Sequence, residues 1–310
     1  MTALRTAAVL PVRGHARLLD GCLEALRAQH LPVDDLVVVD DSPEASLGDL
    51  DGVRIVRSHG RGPYAARNLG WRSSDADVVL FLDARSRPRP SWSERLVAEF
   101  QDDTVALAGS EVDVLPGESL GARASHEQQF FRLRNYLANP FFLPYLPTCN
   151  LAVRRSDLDA VGGFSEVRSG GDADLCWKVL SDRECRLAAV QEVLMDWVPR
   201  DKARDYLEQN YRYGRSNHQL RLDWRPRGAA QADPKPLLPL IKSGVWLGAH
   251  VLTARISGRD DDLARYLSWS AGLAFDVGFR RAHSEWRHDT PTSPPVPVDG
   301  ALERAPGQAR

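Results

Sequence analysis

Over the first hundred or so residues, short unbroken apolar runs alternate with segments of helical period. "TAAVLPV" predicts a buried strand ending at Pro11, and the helix after it presents Leu18, Leu19, Cys22, Leu23 and Leu26 on one face. "LVVVDDS" is a second strand, broken by Asp40, Asp41 and Ser42. Then come a strand in "VRIVRS", a helix around "YAARNLGWRSS", the strand "VVLFLD", a helix in "SWSERLVAEF" and the strand "VALAGSEV". None of these strands alternates apolar with polar, so both faces are covered, as in a mostly parallel sheet sandwiched by helices. Ligands of such sheets sit beyond the carboxyl ends of the strands. Asp41 and Asp83, which end two of them, are therefore expected at one rim.

The pattern changes near residue 115. "SHEQQFFRLRNYLANPFFLPYLP" is aromatic and broken by prolines, which suits a lid or pocket wall. "TCNLAVRRSDLDAVGGF" reads as a strand, a turn and a short helix stopped at Gly162 and Gly163. A second helix opens near Asp172 in "GGDADLCWKVLSD", and a long charged helix covers 203–222 with Tyr206, Tyr211 and Tyr213. Two apolar helical stretches follow, "LIKSGVWLGAHVL" and "YLSWSAGLAFDVGF". The first is short and interrupted for a membrane span. Together, 236–280 either pack on the preceding domain or lie in a membrane interface. From about 283, proline, charge and small residues predict a disordered tail.

Composition narrows the classes. With 43% hydrophobic residues in 310, the chain can bury a sizeable core of one large domain. Its net charge of −2 gives no reason to expect nucleic acid as a partner. Cys22, Cys149, Cys176 and Cys185 show no CxxC spacing, and no secretory leader is read ahead of them, which favours reduced thiols in the cytoplasm.

Seven pieces then fall in a familiar order: "VLPVRG", "VVVDDS", "GPYAARNLG", "VVLFLDARSRP", "TCNLAVRRSDLDAVGGF", "GGDADL" and "QNYRYG". Over residues 5–220 the chain resembles the family 2 glycosyltransferases of GT-A fold. That resemblance implies an inverting, bacterial-type enzyme in which residues 1–115 bind a nucleotide-diphosphate sugar donor and 116–225 carry the acceptor and catalytic half. Residues 226–282 would then be a helical extension and 283–310 the tail. It places Pro11, Val12, Arg13, Asp41 and Arg67 along the nucleoside. Asp172 would be the general base that deprotonates an acceptor hydroxyl, and Arg212 would face the leaving diphosphate. Each has a plainer explanation: Asp41 as a turn-capping carboxylate, Asp172 as a helix N-cap, Arg67 and Arg212 as surface arginines.

The chain also departs from the family pattern. Gly171 stands where a glutamate is usual, and Tyr213 where a tryptophan is. The Asp-x-Asp element that holds a divalent cation against the diphosphate reads Asp83-Ala84-Arg85, and an arginine has no lone pair for a metal although it has donors for phosphate. In "LMDWVP" the residue at the position of the family's metal-binding histidine is Asp196. Two arrangements stay open. In one, Arg85 pairs with Asp196 where the Mn or Mg ion would be; in the other, Asp83 and Asp196 still bind the ion. A catalytically altered binding or scaffold protein on the same fold is the competing function. A nucleotidyltransferase is disfavoured because "LPVRGHARLL" has one glycine and no lysine. The acceptor is not specified, and the expected location is cytoplasmic, with peripheral contact at the inner membrane face through 236–280.

Overall fold

The computed structural model describes residues 4–14 and 17–286. Eight strands form one sheet: β1 (Thr6–Val12), β2 (Asp35–Asp40), β3 (Arg54–Arg57), β4 (Val78–Phe81), β5 (Ser86–Pro88), β6 (Val105–Val114), β7 (Leu151–Arg154) and β8 (Arg186–Trp197), in the order β3-β2-β1-β4-β7-β6-β8-β5. The first four run parallel, with Val9 opposite both Val37 and Phe81. β7 is antiparallel to β4 and β6, and β5 is antiparallel to β8. β8 returns parallel to β6 through irregular register near Ser110 and Glu111. β1 runs one residue past Pro11, to Val12, in a stretch where β4 has already ended, so the missing N–H costs no ladder bond to that neighbour.

Alternation along β1 divides the core in two. Ala8, Leu10 and Val12 face α1 (Arg17–Arg27) and α3 (Trp92–Glu99), with Trp92 and Phe100 among the bulk. Val9, Val37, Val39 and Phe81 face α2 (Pro63–Arg72), α6 (Arg155–Val161) and α7 (Gly171–Asp182). Both faces are dry, which explains the unbroken apolar runs. Asn68 on α2 ties the layers together: its Nδ2 donates to the Phe164 carbonyl at 2.7 Å, and its Oδ1 accepts from the Phe164 N–H at 2.9 Å. The loop that leads into α7 is thereby fixed to α2.

The proline-broken stretch forms α4 (Leu120–Gln128) and α5 (Arg134–Leu137) beside the sheet. The C-terminal part is helical: α8 (Ala203–Asp223), α9 (Leu237–Ile256) and α10 (Asp260–Glu285). α8 and α10 cross at two glycines. A Cβ on Gly214 would lie 1.9 Å from the Phe275 carbonyl oxygen, and one on Gly278 would lie 2.1 Å from that of Tyr211. No other residue type allows this approach. α10 ends at Glu285, just beyond the boundary read for the tail, and residues 287–310 of that tail lie outside the described residues.

Candidate active site

The parallel strands bring their polar ends to one rim, where two cavities of about 500 and 360 Å³ adjoin and share Pro11, Val12, Arg13, Pro63, Arg168, Arg200 and Arg212. Asp41 lines the smaller. Its carboxylate accepts from Ser58 Oγ at 2.6 Å and from the Gly62 N–H at 3.1 Å, so it caps the start of α2 while facing the cavity. Asp40, the last residue of β2, is buried. Burial raises its pKa, but hydrogen bonds from Ser42 and Ser46 outweigh that and hold it at about 2.

Asp83 and Arg67 meet in the larger cavity, with Arg67 Nη2 2.5 Å from Asp83 Oδ1. The guanidinium is buried on α2 and lies 5.2 Å from the centre of the Tyr64 ring. Tyr64 Oη in turn donates to Asp172 Oδ1 at 3.3 Å. Asp172 opens α7, and its own Oδ1 accepts from the Ala173 N–H at 3.1 Å. Burial raises its pKa, with hydrogen bonds and the Arg67 charge opposing, so the carboxylate is a stronger base than an exposed one. Gly171 has a local reason. A Cβ there would lie 2.9 Å from the Tyr64 ring, so the glutamate usual at this position has no room while Tyr64 donates to Asp172.

Of the two arrangements left open by the sequence, the pairing of Arg85 with Asp196 is not formed. Asp196 is held by Arg89, whose Nη2 lies at 2.7 Å and Nε at 3.2 Å from its carboxylate. Successive strand residues face opposite ways, and on β8 it is Trp197 that lines the cavity. Arg85 instead donates to the carbonyls of Val198 and Pro199 at 3.1 and 2.7 Å and lies 5.7 Å from the centre of the Trp197 ring. It remains a cavity residue, and burial, with Arg200 next, lowers its pKa. Among the described residues no three His, Cys, Asp or Glu side chains are grouped to hold a metal ion.

On α8, Arg212 lines both cavities, its pKa lowered by burial. Tyr213 accepts from Gln209 Nε2 at 2.6 Å and stacks on Phe130, with centroids 5.3 Å apart. Among the described residues, six arginines reach the larger cavity: Arg13, Arg67, Arg85, Arg168, Arg200 and Arg212. Sequence reasoning had singled out neither Arg168 nor Arg200, because a chain that uses arginine for nearly all its cations gives no contrast. Tyr64 and Trp197 were also missed. For Trp197 a signal existed, since Met195 and Trp197 are the apolar alternates of a strand and set Asp196 on the other face.

The family model described as glycosyl transferase family 2 matches residues 7–162. The chain belongs to glycosyl transferase family 2. It is 32% identical over 256 residues to a pre-mycofactocin glycosyltransferase of Mycobacterium tuberculosis, covering 79% of this chain and 51% of that protein. It is 27% identical over 176 residues to the glycosyltransferase AglE of Haloferax volcanii, covering 53% and 57%. The chain thus spans about half the length of these curated relatives. Among solved structures it is similar to the mannosyltransferase PcManGT of Pyrobaculum calidifontis, in a complex with GDP-Man and Mn2+, with a TM-score of 0.58, 18% identity and coverage of 93% and 89%. That likeness concerns the fold, which is GT-A.

Proposed function

We propose that this member of family 2 transfers a hexosyl group from a nucleotide-diphosphate sugar to an acceptor hydroxyl with inversion. One observation carries the reading. Among the described residues, four buried side-chain polar atoms lack a hydrogen-bond partner: Arg67 Nε, Tyr136 Oη, Trp197 Nε1 and Arg212 Nε. All four residues line the cavity that holds Asp172. Buried polar atoms are nearly always paired, so an unpaired set on residues of one cavity supports reading that cavity as a site for a polar ligand. Three of the four can only donate, which calls for a ligand rich in acceptor oxygens. Burial disfavours charge on Arg85 and Arg212, and a diphosphate would relieve that.

In this reading Asp172 takes the proton of the acceptor hydroxyl as its oxygen bonds to the anomeric carbon, opposite the diphosphate. The bond from that carbon to the phosphate oxygen breaks, and the nucleoside diphosphate leaves with the electron pair. Arg85, Arg200 and Arg212 meet its growing charge. Pro11, Val12, Arg13 and Asp41 line the side assigned to the nucleoside. Residues here do not fit the divalent cation usual in the family. Asp83 is engaged by Arg67, position 85 is an arginine, and the strand residue facing the cavity is Trp197. No step is assigned to a metal. The four free cysteines support a reducing, cytoplasmic setting.

The test is nucleoside diphosphate release from a panel of nucleotide sugars, with and without chelator. Asp172→Asn should lower turnover by at least about 10²-fold, with donor affinity by calorimetry nearly unchanged. Near-normal turnover would remove Asp172 from the chemistry. Loss of wild-type activity in chelator, restored by manganese, would put a cation at Asp83 and reduce Arg85 to a backbone clamp.

A further inference from the structure

We infer that α9 docks on an anionic lipid surface, lying along it. The helix has two apolar faces. Leu240, Leu247 and Ala254 recur every seven residues and are buried, and the helix packs chiefly against α10. On the opposite side Leu238, Ile241, Val245, Leu252 and Ile256 recur at helical spacing and are 52 to 77% exposed. A helix that served only to cover α10 would carry polar residues there. This stripe spans about 30 Å at the usual helical rise.

Charge identifies the occupant. Between Asp233 and Asp260 the chain has no acidic residue, but it has Lys235, Lys242, Arg255 and Arg259. Lys235 pairs with Asp276 and Arg259 with Asp262. Lys242 and Arg255 flank the stripe on either side, with no ion-pair partner among the described residues. Exposed Trp246 and Trp269 stack with centroids 5.8 Å apart at the edge of the same surface. Aliphatic residues bounded by unpaired cations and indoles match the acyl chains, phosphates and headgroup zone of one leaflet. A second copy of α9 would bring cation against cation. The helix is apolar and long enough to cross a membrane. Crossing would nonetheless strip Leu240, Leu247 and Ala254 from α10, so it lies in the interface. α10 also contributes Phe275 to the cavity wall. A docked α9 therefore holds the cavity one helix away from lipid, a position suited to an acceptor anchored in that membrane. Only this last step rests on the transferase reading.

Vesicle flotation of the full chain tests the surface. It should float with phosphatidylcholine vesicles containing phosphatidylglycerol and much less with phosphatidylcholine alone. Tryptophan emission should shift to the blue on binding. Val245→Glu combined with Leu252→Glu, both at exposed positions, should abolish flotation while leaving the melting temperature unchanged. Lys242→Gln or Arg255→Gln should each weaken binding about fivefold. Asp172→Asn should float like the wild type, so a failed transferase reading leaves this result standing. The inference is overturned if the wild type floats with neither vesicle, or if the double glutamate variant floats equally well. It is also overturned if ultracentrifugation shows a dimer that the double variant dissolves, since a second copy would then cover the stripe.

Discussion

Asp41, just past the end of β2 and backed by the buried Asp40, faces the same cleft as the arginines around α8, and the two are in opposite states. Asp40 accepts from the N–H groups of Ser42, Ser46 and Leu47 and from Ser46 Oγ, and Asp41 is engaged by Ser58 and Gly62. Their loops are set before any ligand arrives. Across the cleft, Arg212 keeps a buried Nε unpaired, and α10, which braces α8, carries on its far side a helix with an uncovered apolar face. One side is complete in itself, and the other holds hydrogen bonds and apolar surface in reserve. A transferase that recognises its donor on a rigid sheet edge and adjusts to acceptor and leaving group on helices would be divided in this way.

The sharpest way to break the comparison is at the seam between α2, whose start Asp41 caps, and α7, where Tyr64 meets Asp172. Gly171→Ala puts a Cβ 2.9 Å from the Tyr64 ring. Either the ring leaves Asp172 or the start of α7 moves, and with Asp172 as the proposed base turnover should fall about 10²-fold. Donor affinity should change little, because Asp41 and Arg13 lie elsewhere on the rim. Steady-state kinetics with calorimetry check this. Turnover within about twofold of wild type would show that the seam is soft.

Acid should take the two regions apart in sequence. His218 is buried between α8 and α10, with its ring 4.9 Å from Phe279 and 5.2 Å from His283. Burial, then the His283 and Arg221 charges, pull its pKa down to about 4. The folded state keeps it neutral while the unfolded chain protonates near 6.5, so its contribution is whole above about 6.5 and lost as pH falls to about 4, roughly 3 kcal/mol in all. Asp40, held at about 2, favours the fold above about 4 and loses roughly 2 kcal/mol as pH falls to about 2. Hydrogen exchange should therefore show α8 and α10 loosening first and β1 and β2 only at lower pH. His218→Phe should erase the first step. Simultaneous loosening of both regions would contradict the assignment.

Legibility in the sequence divides within the sheet. The apolar runs of β2 and β4 lead directly into Asp40–Asp41 and into Asp83, so parallel strand direction alone carries Asp41 and Asp83 to one rim. Asp172 was visible as a carboxylate opening a helix. The edge of the sheet formed by β8 and β5 was less legible, because its specificity lies in orientation. Asp196 was assigned to the site although strand alternation turns it to Arg89. Arg85 was expected to find a carboxylate or a phosphate, but in the structure it has found the carbonyls of Val198 and Pro199, which no side-chain pattern announces. The antiparallel entries of β5 and β7 are set by pairings between residues far apart in the chain, and local periodicity does not reach them.

The smallest effect sharpens the seam most. Tyr64→Phe removes one hydroxyl and leaves the ring against Phe164, at a centroid distance of 5.4 Å, so packing survives. The lost hydrogen bond, at 3.3 Å, favoured the ionised form of Asp172. Without it, burial acts less opposed and the carboxylate pKa rises further. A base works only when ionised, so the acidic limb of the turnover profile should move to higher pH. At neutral pH the loss should be severalfold, within the range of one neutral hydrogen bond. If turnover falls equally at every pH, Tyr64 shapes the cavity without tuning the base. If the limb moves while the alkaline plateau holds, α2 sets the proton affinity of the carboxylate on α7 through this one hydroxyl.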